Sequence, residues 1–193
     1  INAEARAQYA RAADGLSAAG RAVINPTDGP FTLSDYATLR RAGWPVTPVL
    51  EGTLSIGSQN LPLLGRDMLS LALAMSADTQ SDLSPQDVIG PTGRLLAHPE
   101  TLATLSSTNT GLPPLLALDQ TPRGLLLTDI ATAERLLQRP GQIDRLELTG
   151  PVPTHARQLT SLLPGATLRQ PDAPDAARLT DSFHLNLTAF GFL

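Results

Sequence analysis

A strand, a helix and a second strand are predicted near each end of the chain, and this arrangement constrains the fold more than any other feature of the sequence. In the first unit, residues 21–25 predict a short strand, and residues 46–56 and 60–65 predict a longer strand and its partner. In the second unit, residues 143–148 alternate apolar and polar side chains, as a half-buried strand does, and residues 166–170 predict another strand. Two such units commonly combine into one layered sheet with helices on a face. The expected fold class is therefore α+β.

The helix of the first unit has clear signals at both of its ends. Thr32 and Asp35, which are three residues apart, form a capping-box pattern at its start. Gly43 and Pro45 end it, because glycine is favoured just past a helix and proline cannot continue one. The helix of the second unit is predicted over residues 156–163.

The section between the two units, residues 67–142, has predicted strands and helices of its own. Residues 93–97 predict a strand, and the sequence from His98 predicts a short helix with proline in its first turn. Residues 115–118 and 124–127 flank a turn sequence and predict a hairpin. The middle section therefore has the pattern of an inserted subdomain.

A second helix of the middle section is predicted to start after Asp129, whose side chain is a favourable N-cap. Its apolar face carries Ile130, Ala133 and Leu137. Residues 140–141, a proline and a glycine, are expected to end it.

Composition excludes several classes of function. All 14 basic residues are arginines that are scattered along a chain of net charge -4, which argues against a nucleic-acid-binding surface. A phosphate-binding P-loop requires lysine, which is absent, and no GxGxxG motif follows a strand. The chain has no cysteine, so disulfides, thiolate zinc sites and cysteine nucleophiles are excluded together.

The histidines do not form a metal-binding motif. His98, His155 and His184 are far apart and lack the spacing of metal ligands. His98 precedes a proline at a helix start, which favours a local turn or cap role, and His184 is expected on a solvated face. No metal or cofactor is predicted.

No catalytic residue is predicted either. Residues 15–19 resemble a nucleophile elbow only loosely and lie in helical sequence. The acid pairs Asp78 with Asp82 and Asp172 with Asp175 lie in polar loop sequence, which favours solvated carboxylates. No residue of the sequence identifies a ligand-binding site.

Trp44 is the only tryptophan, and it follows a helix that ends with Arg40 and Arg41. The two arginines complement the negative end of the helix dipole. Trp44 either anchors a partner or packs back on the core, and the sequence favours packing on the core.

Residues 178–193 become increasingly apolar, and the chain starts at Ile1 within helix-forming sequence. Both ends are expected where a soluble domain meets membrane-spanning helices, because frayed termini are normally polar. Residues 183–189 alternate as in a strand, whereas apolar side chains from Leu179 to Phe190 also recur at helical spacing. Periodicity alone leaves both structures open.

Three stretches together resemble the extracytoplasmic domain of FtsX/MacB-type ABC transporter permeases. Residues 179–189 (LTDSFHLNLTA) are similar to the segment that leads into the second membrane helix of that family. Residues 124–148, which contain LLLTDIATAERLL and GQIDRLEL, are similar to its strand, helix and strand before the final unit. Residues 48–52 (PVLEG) are similar to its strand after the first strand-helix unit.

The resemblance implies a domain organisation. Residues 21–66 and 143–172 would form a porter-like subdomain of two strand-helix-strand units, and residues 67–142 an inserted mixed α/β, Sabre-like subdomain. Residues 1–20 would be an N-terminal stalk helix. Residues 173–193 would be a C-terminal stalk helix that leads into a transmembrane helix, which resolves the tail as helix.

The resemblance also implies a function. The domain would lie on the periplasmic side of the inner membrane, between the first two membrane helices of a permease, and would have no enzymatic activity. A cytoplasmic ABC ATPase would hydrolyse ATP, and a second permease copy or domain would complete the transporter. The domain would couple hydrolysis to export or extraction of a lipid, lipoprotein or peptide, or to mechanotransmission, and its partners would include a periplasmic protein or lipid substrate but no nucleic acid.

Within that family, the resemblance is nearest to the branch with two large periplasmic domains and ten predicted membrane helices, which genome context associates with a lysophospholipase-type esterase. Two alternatives belong to other classes. One is a small secreted hydrolase with a site built from scattered serine, histidine and aspartate. The other is a free-standing periplasmic binding module.

Overall fold

The computed structural model of the 193-residue chain describes residues 21–68, 93–105, 111–119 and 121–170. Both predicted stalk helices, residues 1–20 and 173–193, lie outside these residues. Several residues that the sequence analysis considered and did not assign to a site also lie outside them, namely residues 15–19, Asp78, Asp82, Asp172, Asp175 and His184.

Eight of the described strands form one mixed sheet in the order β10-β1-β9-β3-β4-β7-β5-β6, and β2 pairs with β8 in a separate two-stranded sheet. The strands are β1 (Val23–Pro26), β2 (Phe31–Thr32), β3 (Val46–Ile56), β4 (Gln59–Arg66), β5 (Leu95–Ala97), β6 (Leu115–Ala117), β7 (Leu126–Asp129), β8 (Gln142–Ile143), β9 (Arg145–Leu148) and β10 (Ala166–Arg169). The helices are α1 (Leu33–Arg41), α2 (Pro99–Leu105), α3 (Ile130–Leu137) and α4 (Leu159–Leu162). The expected α+β class is confirmed.

The predicted capping box of α1 is present. The Asp35 backbone N–H donates to Thr32 Oγ1 at 3.2 Å, and the Thr32 backbone N–H donates to Asp35 Oδ2 at 2.8 Å. Gly43, two residues past the helix, has a φ of +90°, which glycine adopts without strain. Local sequence signals therefore define both ends of this helix.

Strand β3 joins the two halves of the sheet. Residues 46–49 pair with β9, and residues 50–56 pair with β4, both antiparallel. The elements of the first and last thirds of the chain thus share a sheet with β5, β6 and β7 of the middle section. The predicted division into subdomains at residues 66 and 143 stays a prediction.

Helices pack on one face of this sheet. Ala133 of α3 is fully buried with Leu50, Leu63 and Leu126 of the strands beneath it. Around α1, Leu39 and Trp44 are buried with the apolar side chains of β1 and β9. The opposite face carries a second apolar cluster of buried residues: Val49, Leu64, Met68, Leu96, Leu118, Leu125 and Leu127.

The predicted hairpin of residues 115–118 and 124–127 is wrong. Strand β5 lies between β6 and β7, and it pairs parallel with β6 and antiparallel with β7. The Leu118 N–H donates to the Ala97 carbonyl at 2.9 Å, which extends the parallel pairing of β6 with β5. The chain therefore has to pass β5 to reach β7, and a tight turn cannot connect the two strands. A turn sequence between two apolar runs cannot reveal that a third strand separates them.

Two predicted helices are shorter in the structure. Helix α3 begins as expected, with the Thr132 N–H donating to Asp129 Oδ1 at 2.9 Å, but it ends at Leu137 because Gln138 adopts the left-handed conformation at φ 55°. The helix predicted over residues 156–163 is reduced to α4. The Arg157 carbonyl accepts from Trp44 Nε1 at 2.9 Å, and this tertiary hydrogen bond replaces a helical one.

Candidate functional site: a buried ion-pair network and an open groove

Glu147 is the most deeply buried charged side chain among the described residues, with an exposed fraction of 0%. It lies in β9, which is paired on both edges, with β1 on one side and β3 on the other. The alternating sequence predicted a half-buried strand, and this prediction is wrong for Glu147. Alternation tells which side chains share a face, but not whether that face is covered.

Two guanidinium groups neutralise this buried carboxylate. Arg66 Nη2 forms an ion pair with Glu147 Oε2, and Arg145 Nη2 lies 3.3 Å from Glu147 Oε1. The side chains of Arg66 and Arg145 are themselves only 14% and 12% exposed. A buried charge is tolerated in proteins only when it is paired and hydrogen-bonded, and Glu147 meets both conditions.

The network continues across β3 to the loop after α3. Arg145 also forms an ion pair with the carboxylate of Glu51, and the Glu51 N–H donates to Asp144 Oδ2 at 2.7 Å. Arg139 Nη1 donates to the Glu51 carbonyl at 2.9 Å and to Asp144 Oδ2 at 3.1 Å. The hydrogen bond with Asp144 raises the pKa of Arg139 above its ordinary value, against a smaller opposing effect of burial.

We call these six residues the arginine–carboxylate network: Glu51, Arg66, Arg139, Asp144, Arg145 and Glu147. Its three positive and three negative charges balance, so it has no excess charge with which to attract an ion. It connects β3, β4, β9 and the segment between α3 and β9. The network therefore holds together elements that are distant in sequence.

An open groove of about 640 Å³ lies at the other end of the sheet, beside β10 and α4. Its wall includes Trp44, Val152, Ala156, Leu159 and Leu168. Trp44 is 5% exposed and belongs to the core around α1, so the prediction that it packs on the core is confirmed. Leu168 is 39% exposed. It is one of two large apolar side chains that are exposed among the described residues, and the other is Leu33.

The structure does not assemble the two described histidines into a site. The His98 Nδ1 accepts a hydrogen bond from the Glu100 N–H at 3.2 Å, which confirms the local turn role. His155 is exposed in the loop before α4. Within the described residues, no group of three or more potential metal ligands occurs.

Sequence reasoning missed the arginine–carboxylate network. One signal was available, an arginine and a glutamate two residues apart in the strand sequence RLEL, which places both side chains on the same face. Their partners Arg66 and Glu51 lie 81 and 94 residues away in the chain, so pairing could not be read locally.

The architecture is that of the extracytoplasmic domains of MacB-type ABC transporters. The solved structure of the periplasmic region of MacB from Actinobacillus actinomycetemcomitans matches with a TM-score of 0.51 over 83% of this chain and 93% of that chain, at 12% sequence identity. The extracellular domain of the noncanonic ABC-type transporter YknZ from Gram-positive bacteria covers 78% of this chain and 99% of that chain, with a TM-score of 0.49 and 9% identity. At this identity, the match to the periplasmic region of MacB establishes the fold of the chain.

No protein-family model matches the sequence, and no curated protein matches it. Among the helices of the described residues, none is long and apolar enough to cross a membrane. The likeness is therefore one of fold, carried by the arrangement of strands and helices more than by sequence identity.

Proposed function

We propose that this chain is the periplasmic domain of an ABC transporter permease, which couples ATP hydrolysis in the cytoplasm to work outside the membrane. The match to almost the whole periplasmic region of MacB carries the proposal. The sequence resemblance of residues 48–52 and 124–148 to the same family is a separate observation that supports it.

In this proposal the domain acts by contact and mechanical coupling. The arginine–carboxylate network supports that role, since it ties β4 and β9 together through charges held at 14% and 0% exposure. A sheet clamped in this way moves as a unit, so a displacement at one end is passed to the other. The work done would be export or extraction of a lipid, lipoprotein or peptide, or mechanotransmission to a periplasmic protein.

The partners follow from the class. A cytoplasmic ABC ATPase would act through membrane helices of the permease, and a second permease copy or domain would complete the transporter. Residues 21–66 and 143–172 would be the porter-like subdomain and residues 67–142 the inserted one. The domain would need no cofactor, metal or catalytic residue of its own.

The location is tested by cysteine labelling of the full-length protein in intact cells. The chain lacks cysteine, and Ser58 lies exposed in the turn between β3 and β4, so Ser58→Cys introduces a single accessible thiol. We expect a membrane-impermeant maleimide to label it once the outer envelope is permeabilised and before the inner membrane is lysed. Thr128→Cys, at a position with 0% exposure, is the matched control that labels only after denaturation.

The coupling is tested by purifying the full-length protein with its membrane helices and identifying what copurifies. We expect an ABC ATPase at a defined stoichiometry. Labelling of Ser58→Cys only after lysis of the inner membrane, or purification of the full-length protein without any ATPase, would overturn the proposed function.

A further inference from the structure

We propose that the outer edge of β10, together with the adjoining groove, binds an extended acidic segment of a partner protein as an added strand. The inference goes beyond the proposed function, because the capture of a peptide by this surface requires neither a membrane nor ATP. It follows from the backbone, the exposed apolar side chain and the charge at this end of the molecule.

Within the described residues, the backbone of β10 has one N–H and one carbonyl, those of Leu168, without a strand partner. The Thr27 N–H donates to the Gly165 carbonyl at 2.8 Å, and the register continues with Asn25 opposite Thr167 and Val23 opposite Arg169. Antiparallel pairs alternate between hydrogen-bonded and non-hydrogen-bonded, so the intervening Leu168 turns its N–H and carbonyl away from β1. Among the described strands, none pairs with this outer side of β10.

The side chain of Leu168 lies at the mouth of the groove. It is 39% exposed, whereas Leu159 and Ala166 behind it are 8% and 6% exposed. An added strand would bury Leu168 and place its own alternate side chains over the groove, with apolar contacts to Val152 and Ala156. Backbone hydrogen bonds with a side-chain pocket are the usual components of strand addition.

Charge identifies the kind of segment. Residues 21–47 and 142–170, which build this end of the molecule, contain six arginines, three aspartates and one glutamate and therefore carry a net charge of +2, whereas the whole chain carries -4. Arg157 lines the groove and Arg169 lies in β10, and both are exposed. A segment with aspartate or glutamate next to apolar residues complements this surface.

The same charge argues against a second copy of the chain as the occupant. Two copies that paired edge to edge would bring two Arg169 side chains and two positive surfaces together, which is unfavourable. An anionic lipid surface would satisfy the arginines, but not the N–H and carbonyl of Leu168. An extended acidic polypeptide satisfies all of these groups.

The test measures fluorescence anisotropy of a labelled seven-residue peptide of alternating aspartate and valine with the 193-residue chain. The comparison peptide replaces aspartate by lysine. We expect saturable binding of the acidic peptide, weakened by salt, and none of the basic one. Binding to phosphatidylglycerol vesicles tests an anionic lipid surface as the occupant. Size-exclusion chromatography of the chain alone tests a second copy of the chain.

Leu168→Pro is the decisive variant, because it removes the outward N–H and leaves the hydrogen bonds between β10 and β1 intact. Loss of one backbone hydrogen bond is expected to raise the dissociation constant of the acidic peptide about fivefold. The unfolding midpoint of the chain should change little. Thr167→Pro removes an inward N–H and is expected to destabilise the chain instead. Arg157→Gln with Arg169→Gln should also weaken binding, whereas Arg123→Gln, far from the groove in an exposed ion pair with Glu100, should not.

Three results would overturn the inference: no binding of the acidic peptide, binding that is unchanged in Leu168→Pro, or a dimer that Leu168→Pro abolishes. Vesicle binding that depends on Arg157 and Arg169 without peptide binding would assign this surface to lipid. Each of these outcomes leaves the cysteine-labelling and ATPase tests of the proposed function unaffected.

Discussion

The guanidinium of Arg66, at the end of β4, forms an ion pair with the carboxylate of Glu147, which is fully buried in β9. The two residues are 81 positions apart, and their strands do not pair with each other, since β3 lies between them. The ion pair therefore spans β3 and connects one half of the sheet to the other. Its energetic weight can be measured directly.

Removal of one partner is expected to destabilise the chain strongly. In Arg66→Ala the carboxylate of Glu147 loses a buried partner, and breaking such a pair typically costs about 3–5 kcal/mol of the free energy of unfolding. Arg145 still contacts Glu147 in this variant, so we expect a value near the lower bound. Urea denaturation followed by circular dichroism measures it.

The matched controls are an exposed pair and a double variant. Arg123→Ala breaks the ion pair with Glu100, whose side chains are 70% and 63% exposed, and should cost less than about 1 kcal/mol. Arg66→Met with Glu147→Leu should be more stable than Arg66→Ala, because no buried charge is left unpaired. If Arg66→Ala and Arg123→Ala lowered the free energy of unfolding equally, the buried ion pair would stabilise the chain no more than the exposed one.

Side-chain caps are expected to stabilise the start of two helices that the sequence predicted, α1 and α3. Thr32→Ala and Asp129→Ala each remove a side-chain acceptor for a backbone N–H of the first turn, and each should cost about 1 kcal/mol. Ser34→Ala, an exposed position in the first turn of α1, is the control that should change stability little. A cost for Ser34→Ala as large as for Thr32→Ala would argue against capping as the cause.

These caps also show what the sequence can predict. A capping box, a glycine past a helix and an N-cap aspartate act within a few residues, so α1 and the start of α3 followed from local sequence. The position of β5 between β6 and β7 depends on contacts across the chain, and local turn chemistry wrongly indicated a hairpin. The burial of Glu147 likewise depends on Arg66, which no local pattern connects to it.

The groove and the edge strand β10 beside it were predictable only in part. The sequence favoured core packing for Trp44, which the structure confirms. The edge position of β10 and the exposure of Leu168 arise from the strand order, which periodicity does not encode. Sheet edges are therefore found from topology and not from composition.

Gly65 is predicted to be required by close packing between β4 and α3. A Cβ at Gly65 would lie 2.4 Å from the Cβ of Ala133, which is part of a helix and cannot move independently. Gly65→Ala should therefore cost about 1–3 kcal/mol through overpacking. Gly52→Ala meets the flexible end of Leu137 at 2.5 Å and should cost less. The double variant Gly65→Ala with Ala133→Gly should be destabilised by less than the sum of the two single variants, because Ala133→Gly removes the atom that Gly65→Ala would meet. Strict additivity would contradict a direct clash.

Arg139 is expected to stabilise the chain equally across neutral and moderately alkaline pH. Its pKa is raised in the folded state, chiefly by the hydrogen bond with Asp144, so its contribution is fully present below the ordinary pKa of arginine and is lost only above it. Arg139→Gln, which also removes the hydrogen bond to the Glu51 carbonyl, should therefore lower the urea midpoint by the same amount at about pH 7 and about pH 10. A cost that disappears between those two values would mean that another titrating group controls the interaction. Arg41→Gln, at the exposed end of α1, is the control for the loss of one positive charge.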